Sequence, residues 1–198
     1  MVSRSQLETV GRGIFGIAAE DRIVPIQARM QPHALVYFED PYFTCRVRAG
    51  GPDEQWCSVL TLENTFPFGT YKWRAKASNP GPHRHHWLGG FERHHGFPTE
   101  GIIGFCIFQG RYEVWTYWDG IGEATALVNQ DWTAEKAFKV VWAPSRVEYH
   151  VDDMLLATHL NNIPKGPMNF FFEAGRRDGI TNIDHAVLFR KDSFTKVE

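Results

Sequence analysis

The stretch RYEVWTYWDG, residues 111–120, gathers the residue types most able to do chemistry. In a β-strand, side chains two apart share a face. Arg111, Glu113, Trp115 and Tyr117 therefore fall on one side of it. A lone carboxylate can attack or accept a proton, but acid–base turnover needs a second group to manage the proton. Two acids are candidates for that partner. Asp119 follows the strand and shares the face of Glu113 by parity if no bulge intervenes, and Glu173 lies in FFFEAG. Each acid also has a purely structural reading: Glu113 paired with Arg111 or Arg74, and Glu173 paired with Arg176 or Arg177. Flat rings beside charged groups suit a ligand with apolar faces and polar edges. The alternative is that Trp115 and Tyr117 simply fill a buried sheet face.

A second concentration of chemistry is SNPGPHRHHWLGGFERHHGFPTEG, residues 78–101, which carries His83, His85, His86, His94 and His95. Three neutral imidazoles in one shell would hold zinc, but this spacing matches no established zinc pattern and only Glu92 stands by as an acidic ligand. The stretch reads as a long, Gly- and Pro-rich surface loop whose histidines are solvated or pH-sensitive. Metal ligation by His83, His85 and His86 is the alternative, and no cofactor is expected.

The elements that must position these residues are strands. The chain has 198 residues, 18 Gly and 11 Pro, and the breakers separate short alternating segments, an all-β signature. YFTCRVRA (42–49) and QWCSVLTLE (55–63) read as strands joined through GGPDE. GTYKWRAKA (69–77) alternates Tyr71, Trp73 and Ala75 against Lys72, Arg74 and Lys76. GIIGFCIFQ (101–109) is nearly continuous in apolar residues and reads as a central strand buried on both faces. AFKVVWA (137–143) and RVEYHVDD (146–153) form a hairpin, and MNFFFEAG (168–175) and IDHAVLFRK (183–191) complete the set. Only TAEKAFK and the opening residues hint at helix. The expected fold is one all-β domain over 1–198, with two packed antiparallel sheets.

Composition narrows the partners. A net charge of −2 gives no global reason to bind nucleic acid, and no apolar run is long enough to span a membrane. Cys45, Cys57 and Cys106 are odd in number and lack metal-ligand spacing, so they read as small buried thiols, with a Cys45–Cys57 bridge open if their strands are neighbours. The opening residues lack a signal-peptide core, which suggests a cytoplasmic protein or an excised portion of a secreted one.

Four segments, in order, resemble glycoside hydrolase family 16, within the concanavalin-like lectin/glucanase fold. FPFGTYKWRAK (66–76) resembles the family's Tyr-Gly-x-Tyr/Phe-Glu-x-Arg-x-Lys strand, and RYEVWTYWDG sits at the place of its catalytic strand. FKVVWAPSRVEYHVDDMLLAT (138–158) resembles its Trp-x-Pro-x-x-Ile-x-x-Tyr-Val-Asp-Gly hairpin, and IDHAVLFRK its closing strand. The match covers about residues 57–190 and implies a jelly roll of two curved sheets with a sugar-binding groove on the concave face. By this resemblance the histidine-bearing stretch would sit on the rim of the groove, where Trp87 and Phe91 would add ligand contacts.

The resemblance also implies retaining hydrolysis by two carboxyls ~5–5.5 Å apart. The family sets them on one strand as Glu-x-Asp-x-Glu or Glu-x-Asp-x-x-Glu. The matching positions here are Glu113, Trp115, and Tyr117 or Trp118, so the nucleophile is kept while aromatics replace the other two acids. An indole or phenol is a poor acid near neutrality. The resemblance further puts Lys72, Arg74 and Glu173 in the groove; with Arg111 that makes three cations against two acids, a balance open to acidic or sulfated sugars. The expectation is a protein that binds a polysaccharide or oligosaccharide, with hydrolysis lost or feeble. The alternatives are an active hydrolase pairing Glu113 with Glu173 or Asp119, and a structural or interaction module with no sugar ligand.

Overall fold

A computed structural model describes residues 16–19, 22–50, 54–61, 66–93, 100–176 and 183–197; of residues 16–27 it gives the backbone only. The described residues form two antiparallel sheets. The first runs β1 (Gly16–Ala19), β2 (Arg22–Met30), β5 (Gln55–Thr61), β14 (Asn169–Arg176), β7 (Arg84–Arg93), β8 (Gly101–Phe108), β9 (Arg111–Trp118) and β10 (Ile121–Leu127). The second runs β13 (Met154–His159), β12 (Arg146–Val151), β11 (Lys136–Ala143), β6 (Gly69–Ser78), β15 (His185–Arg190), β4 (Tyr42–Val47) and β3 (Ala34–Glu39), with β16 (Thr195–Val197) also on β6. The all-β sandwich is as expected. No helix forms at TAEKAFK, whose Lys136 opens β11.

Alternation explains the core. On β6, Tyr71, Trp73, Ala75 and Ala77 are buried while Lys72, Arg74 and Lys76 stay outside. Trp73 lies among Phe91, Phe105, Phe138, Phe170 and Phe194, rings drawn from both sheets. Burying such a ring contributes ~2–3 kcal/mol, and edge-to-face contacts add to it. β8 is central and buried, as its apolar run predicts.

Two connections differ from the sequence reading. β4 and β5 are strands, but they lie in different sheets: β4 pairs with β3 and β15, β5 with β2 and β14. The 78–101 stretch is not one long loop. Its middle is β7, a ten-residue strand between β14 and β8. Glycines and histidines hid it because they carry no apolar alternation, yet Leu88 and Phe91 are fully buried. The hairpins behave as read: β11 and β12 pair from Phe138↔Val151 to Ala143↔Arg146, and Asp152 and Asp153 take left-handed φ of 50° and 64° in the β12–β13 turn.

β7 carries a bulge. Trp87 and Gly89 lie opposite Cys106 and Phe105, so Leu88 is the extra residue. The Trp73 indole N–H crosses from the second sheet to donate to the Leu88 carbonyl at 2.8 Å. Gly89 has φ +125°, and a Cβ there would collide with the Trp73 ring. Gly89→Ala should cost at least ~3 kcal/mol, through backbone strain and overpacking together, read as a lowered urea midpoint.

Cys45, Cys57 and Cys106 are buried free thiols. A second cross-sheet contact is histidine to histidine. His86 of β7 and His185 of β15 are fully buried, with Nε2 of one and Nδ1 of the other 3.1 Å apart. Burial depresses both rings; His185 falls to about 3, helped by Arg84, His85 and Arg176 and opposed by Asp184. A base with a depressed native pKa binds fewer protons folded than unfolded, so stability is present above ~6.5 and lost as pH falls toward 3. Unfolding free energy should drop by about 1.4 kcal/mol per pH unit for each such ring between pH 6 and 4. Urea melts of wild type and His185→Gln should show a shallower slope in the variant.

Candidate functional site

Parity holds on β9. Val114 and Thr116 are fully buried toward the core, so Arg111, Glu113, Trp115 and Tyr117 line the outer face of the first sheet. A buried polar chain holds this strand in place. The Tyr149 hydroxyl donates to the Trp115 carbonyl at 2.5 Å, so Thr116 Oγ1 must donate to Tyr149 across 2.6 Å. His159 Nδ1–H then donates to Thr116 Oγ1 at 2.8 Å, and Thr125 Oγ1 donates to His159 Nε2 at 2.9 Å. Burial keeps His159 below its ordinary pKa against the pull of Glu123, which suits the neutral tautomer that the chain requires. Burial likewise pushes the Tyr149 phenol up, so it remains a donor.

Glu113 is only 7% exposed. Its carboxylate accepts a 2.9 Å bond from Trp115 Nε1 and lies 3.4 Å from Arg111 Nε, the pairing that sequence alone offered with Arg111. Cross-strand register places it in a row with Cys106, Trp87, Glu173 and Ser58, with Arg29 beyond. Three strand spacings separate the Glu113 and Glu173 backbones, or ~14 Å. Trp87 and Cys106 stand between them. Glu173 pairs with His85 Nε2 at 3.0 Å, a partner the sequence reading did not offer; Arg177, one of the two partners it did offer, lies outside the described residues. The His85 ring lies over Gly175, where any Cβ would strike it. The Cys106 thiol is buried and raised well above its usual pKa by desolvation, then by the charges of Glu113 and Glu173, so it is not a thiolate nucleophile.

Several sequence expectations are redirected. Asp119 sits with Gly120 in the tight turn joining β9 to β10, at φ 52°, six residues and ~20 Å along the chain from Glu113. Lys72 and Arg74 face outward from the second sheet, on the opposite side of the sandwich. Lys72 shares Asp153 with Lys139, and Arg74 pairs with Glu135. The sequence match placed them in the groove because it could not tell which sheet β6 would join. Of the sequence-expected cations, Arg111 alone remains beside Glu113, so the case for acidic sugars loses its basis. A recess of about 740 Å³ lined by Tyr37, Arg46, Arg48 and Asp184 also belongs to the second sheet, where Arg46 pairs with Asp184.

The described histidines of this stretch, His83, His85 and His86, do not converge. His83 lies in a turn at φ 61°, His85 points to the outer face and His86 to the core, because neighbours on a strand face opposite ways. His94 and His95 lie outside the described residues. Among the described residues no group of three metal-ligating side chains forms.

Trp87, expected from the sequence on the rim of a binding face, lies on this outer face, and the structure adds Glu92, which sequence reasoning missed as a member of it. Trp87 packs on Phe171 at 5.4 Å between ring centroids and covers Gly104, where a Cβ would lie 3.2 Å from the indole. Glu92, considered before only as a metal ligand, lies opposite Ile102 and Asn169, in the row of Tyr117. Desolvation raises its carboxyl to about 7; nearby Glu173 adds to this and Arg29 opposes it. The bulge at Leu88 is what turns Glu92 outward, and no signal in the sequence marks it.

The architecture is the jelly-roll β-sandwich of the concanavalin-like glucanases. Solved structures that share it include the Bacillus licheniformis β-glucanase, at 13% identity and a TM-score of 0.59, covering 86% of this chain and 98% of that one. A prokaryotic β-1,3-1,4-glucanase (lichenase) from a mouse hindgut metagenome matches at 17% identity and 0.63, covering 79% and 83%. A structure of the endo-acting O-glycanases with which human gut bacteria initiate mucin breakdown matches at 13% and 0.64, covering 85% of each chain. No protein-family model and no curated sequence matches the chain.

The Glu113–Trp115 bond is testable without a ligand. A double-mutant cycle with Glu113→Gln and Trp115→Phe should give a coupling of about 1.5–3 kcal/mol in urea unfolding, the range for a bond to a charged acceptor. Additive effects would show that the bond contributes nothing.

Proposed function

We propose that the outer face of the first sheet binds a glycan and that O-glycosyl hydrolysis on it is lost. The observation that carries this reading is the isolation of Glu113. Glycosidases need their two carboxyls ~5–5.5 Å apart for retention or ~6.5–9.5 Å for inversion. Glu173 is three strands away and engaged with His85, Asp119 is in a turn, and Glu113 itself is bound by Trp115 and Arg111. The face nevertheless carries Trp87, Trp115, Tyr117 and Phe171 beside Arg111, Glu113 and Glu173, the mixture of flat apolar and polar groups on which sugars stack and orient. The glucanases and O-glycanase sharing the fold support a saccharide as the ligand class. A role as a structural module without a ligand finds less support, because so much charge borders the rings.

Affinity electrophoresis in gels containing mixed-linkage β-1,3-1,4-glucan, laminarin or mucin O-glycans tests the reading. At least one should retard the protein while releasing no reducing ends. Trp115→Ala or Trp87→Ala should weaken binding about tenfold, the loss of roughly 1.4 kcal/mol of ring contact. The Lys72→Ala/Arg74→Ala double variant, altered on the far sheet, should bind as wild type. Sugar release that disappears in Glu113→Gln would overturn the loss of hydrolysis, and no retardation in any gel would overturn binding.

A further inference from the structure

Glu92 and Asn169 occupy directly opposed positions on β7 and β14, on the same outer face as Glu113 but at the other end of it. They lie four positions along β8 from the Glu113 row, because Ile102 faces Glu92 and Cys106 faces Glu113. Between the two rows stand Gly90 and Gly104, cross-strand partners that put no side chain on the face. A Cβ at Gly90 would collide with the backbone of Ile103 and Gly104, so this gap is fixed by strand packing.

Asn169 is 7% exposed, and its Oδ1 is buried with no hydrogen-bond partner among the described residues. A buried acceptor left unpaired costs ~1–3 kcal/mol, so it calls for a donor. No hydrogen bond joins it to the half-buried Glu92 across the strand pair. Tyr117 lies two strands over in the same row, with Ile102 between. Among the described residues, the charged or titratable groups facing Glu92 are Glu173 of β14, itself bonded to His85, Arg29 of β2 and Tyr117 of β9; its β8 neighbour Ile102 carries no charge.

We infer that Glu92 and Asn169 form a hydroxyl-binding subsite, in which the neutral carboxylic acid of Glu92 donates to a sugar hydroxyl and Asn169 Oδ1 accepts that hydroxyl's proton. A hydroxyl is both donor and acceptor, and so is this pair. The subsite rests on the glycan-binding reading and adds a pH dependence to it: an ionised Glu92 cannot donate and would bring a second negative charge beside Glu173. The carboxyl, lifted to about 7 by desolvation, makes that change fall near neutrality. The same lift means the native state holds its proton more tightly than the unfolded chain, so ionisation also weakens the fold as pH rises from ~4.5 through 7.

The test is binding of mixed-linkage β-glucan, laminarin and mucin O-glycans to the intact chain from pH 6 to pH 8.5. Wild-type affinity should fall toward tenfold per pH unit above 7, as expected when one proton is required for the bond. Glu92→Gln, whose amide donates at every pH, should bind equally at pH 6 and pH 8.5. Asn169→Ala should bind about tenfold more weakly at pH 6, the cost of one lost hydrogen bond to a ligand hydroxyl. Carboxyl carbon shifts followed by NMR should titrate one glutamate near pH 7 that vanishes in Glu92→Gln. Glycan binding that does not change with pH, and is the same in Glu92→Gln, would overturn the subsite and leave the broader reading standing. Absence of binding to every glycan at every pH would overturn both.

Discussion

One extra residue in β7 organises the face on which any ligand would sit. Before Leu88, odd-numbered side chains point away from the core: His85 reaches Glu173, and Trp87 packs on Phe171. After Gly89 the parity is reversed, so Phe91 enters the aromatic core and Glu92 turns outward. A strand without the bulge would bury a carboxylate and expose a phenylalanine, which is the face-swap expected of any one-residue slip. The bulge is secured from the opposite sheet, where the Trp73 indole bonds the Leu88 carbonyl and leaves room for no side chain at position 89. The composition of the outer face is thus determined in the core.

What the sequence made legible follows from the same logic. Regular alternation identified β6, β9, β11 and β12, because nothing interrupts their period of two. The resemblance to glucanases, carried by four ordered segments, anticipated the sandwich and pointed to β9 as a strand bearing functional groups. It failed where sheet membership decides the answer. Lys72 and Arg74 have the right spacing for a groove, but β6 pairs with β11 and β15, and the two cations end on the far side. β7 was illegible for a different reason: histidine and glycine carry no periodic signal, and a bulge leaves no mark in residue type.

The carboxylates show how one residue type takes different states by location. Glu113 is satisfied within its own strand by an indole N–H and a guanidinium. Glu173 has an imidazole drawn over a neighbouring glycine. Glu92 has a desolvated site, with Glu173 adding to the lift and Arg29 opposing it, and so retains its proton to higher pH. These environments set Glu113 apart from Glu173, three strands away, and give each carboxylate a different local charge balance.

The chain of donors running from Thr125 through His159, Thr116 and Tyr149 to the Trp115 carbonyl has a single direction. Each of the three interior members, His159, Thr116 and Tyr149, gives one proton forward and takes one from behind, so no link can be reversed alone. Sequence drift in this protein should therefore be lopsided. Outward positions such as 117 are free to vary, whereas 116, 149 and 159 can change only as a set, or to residues that both give and receive, and 125 only to another donor. The scaffold can in this way change the chemistry of its outer face many times without renegotiating its shape.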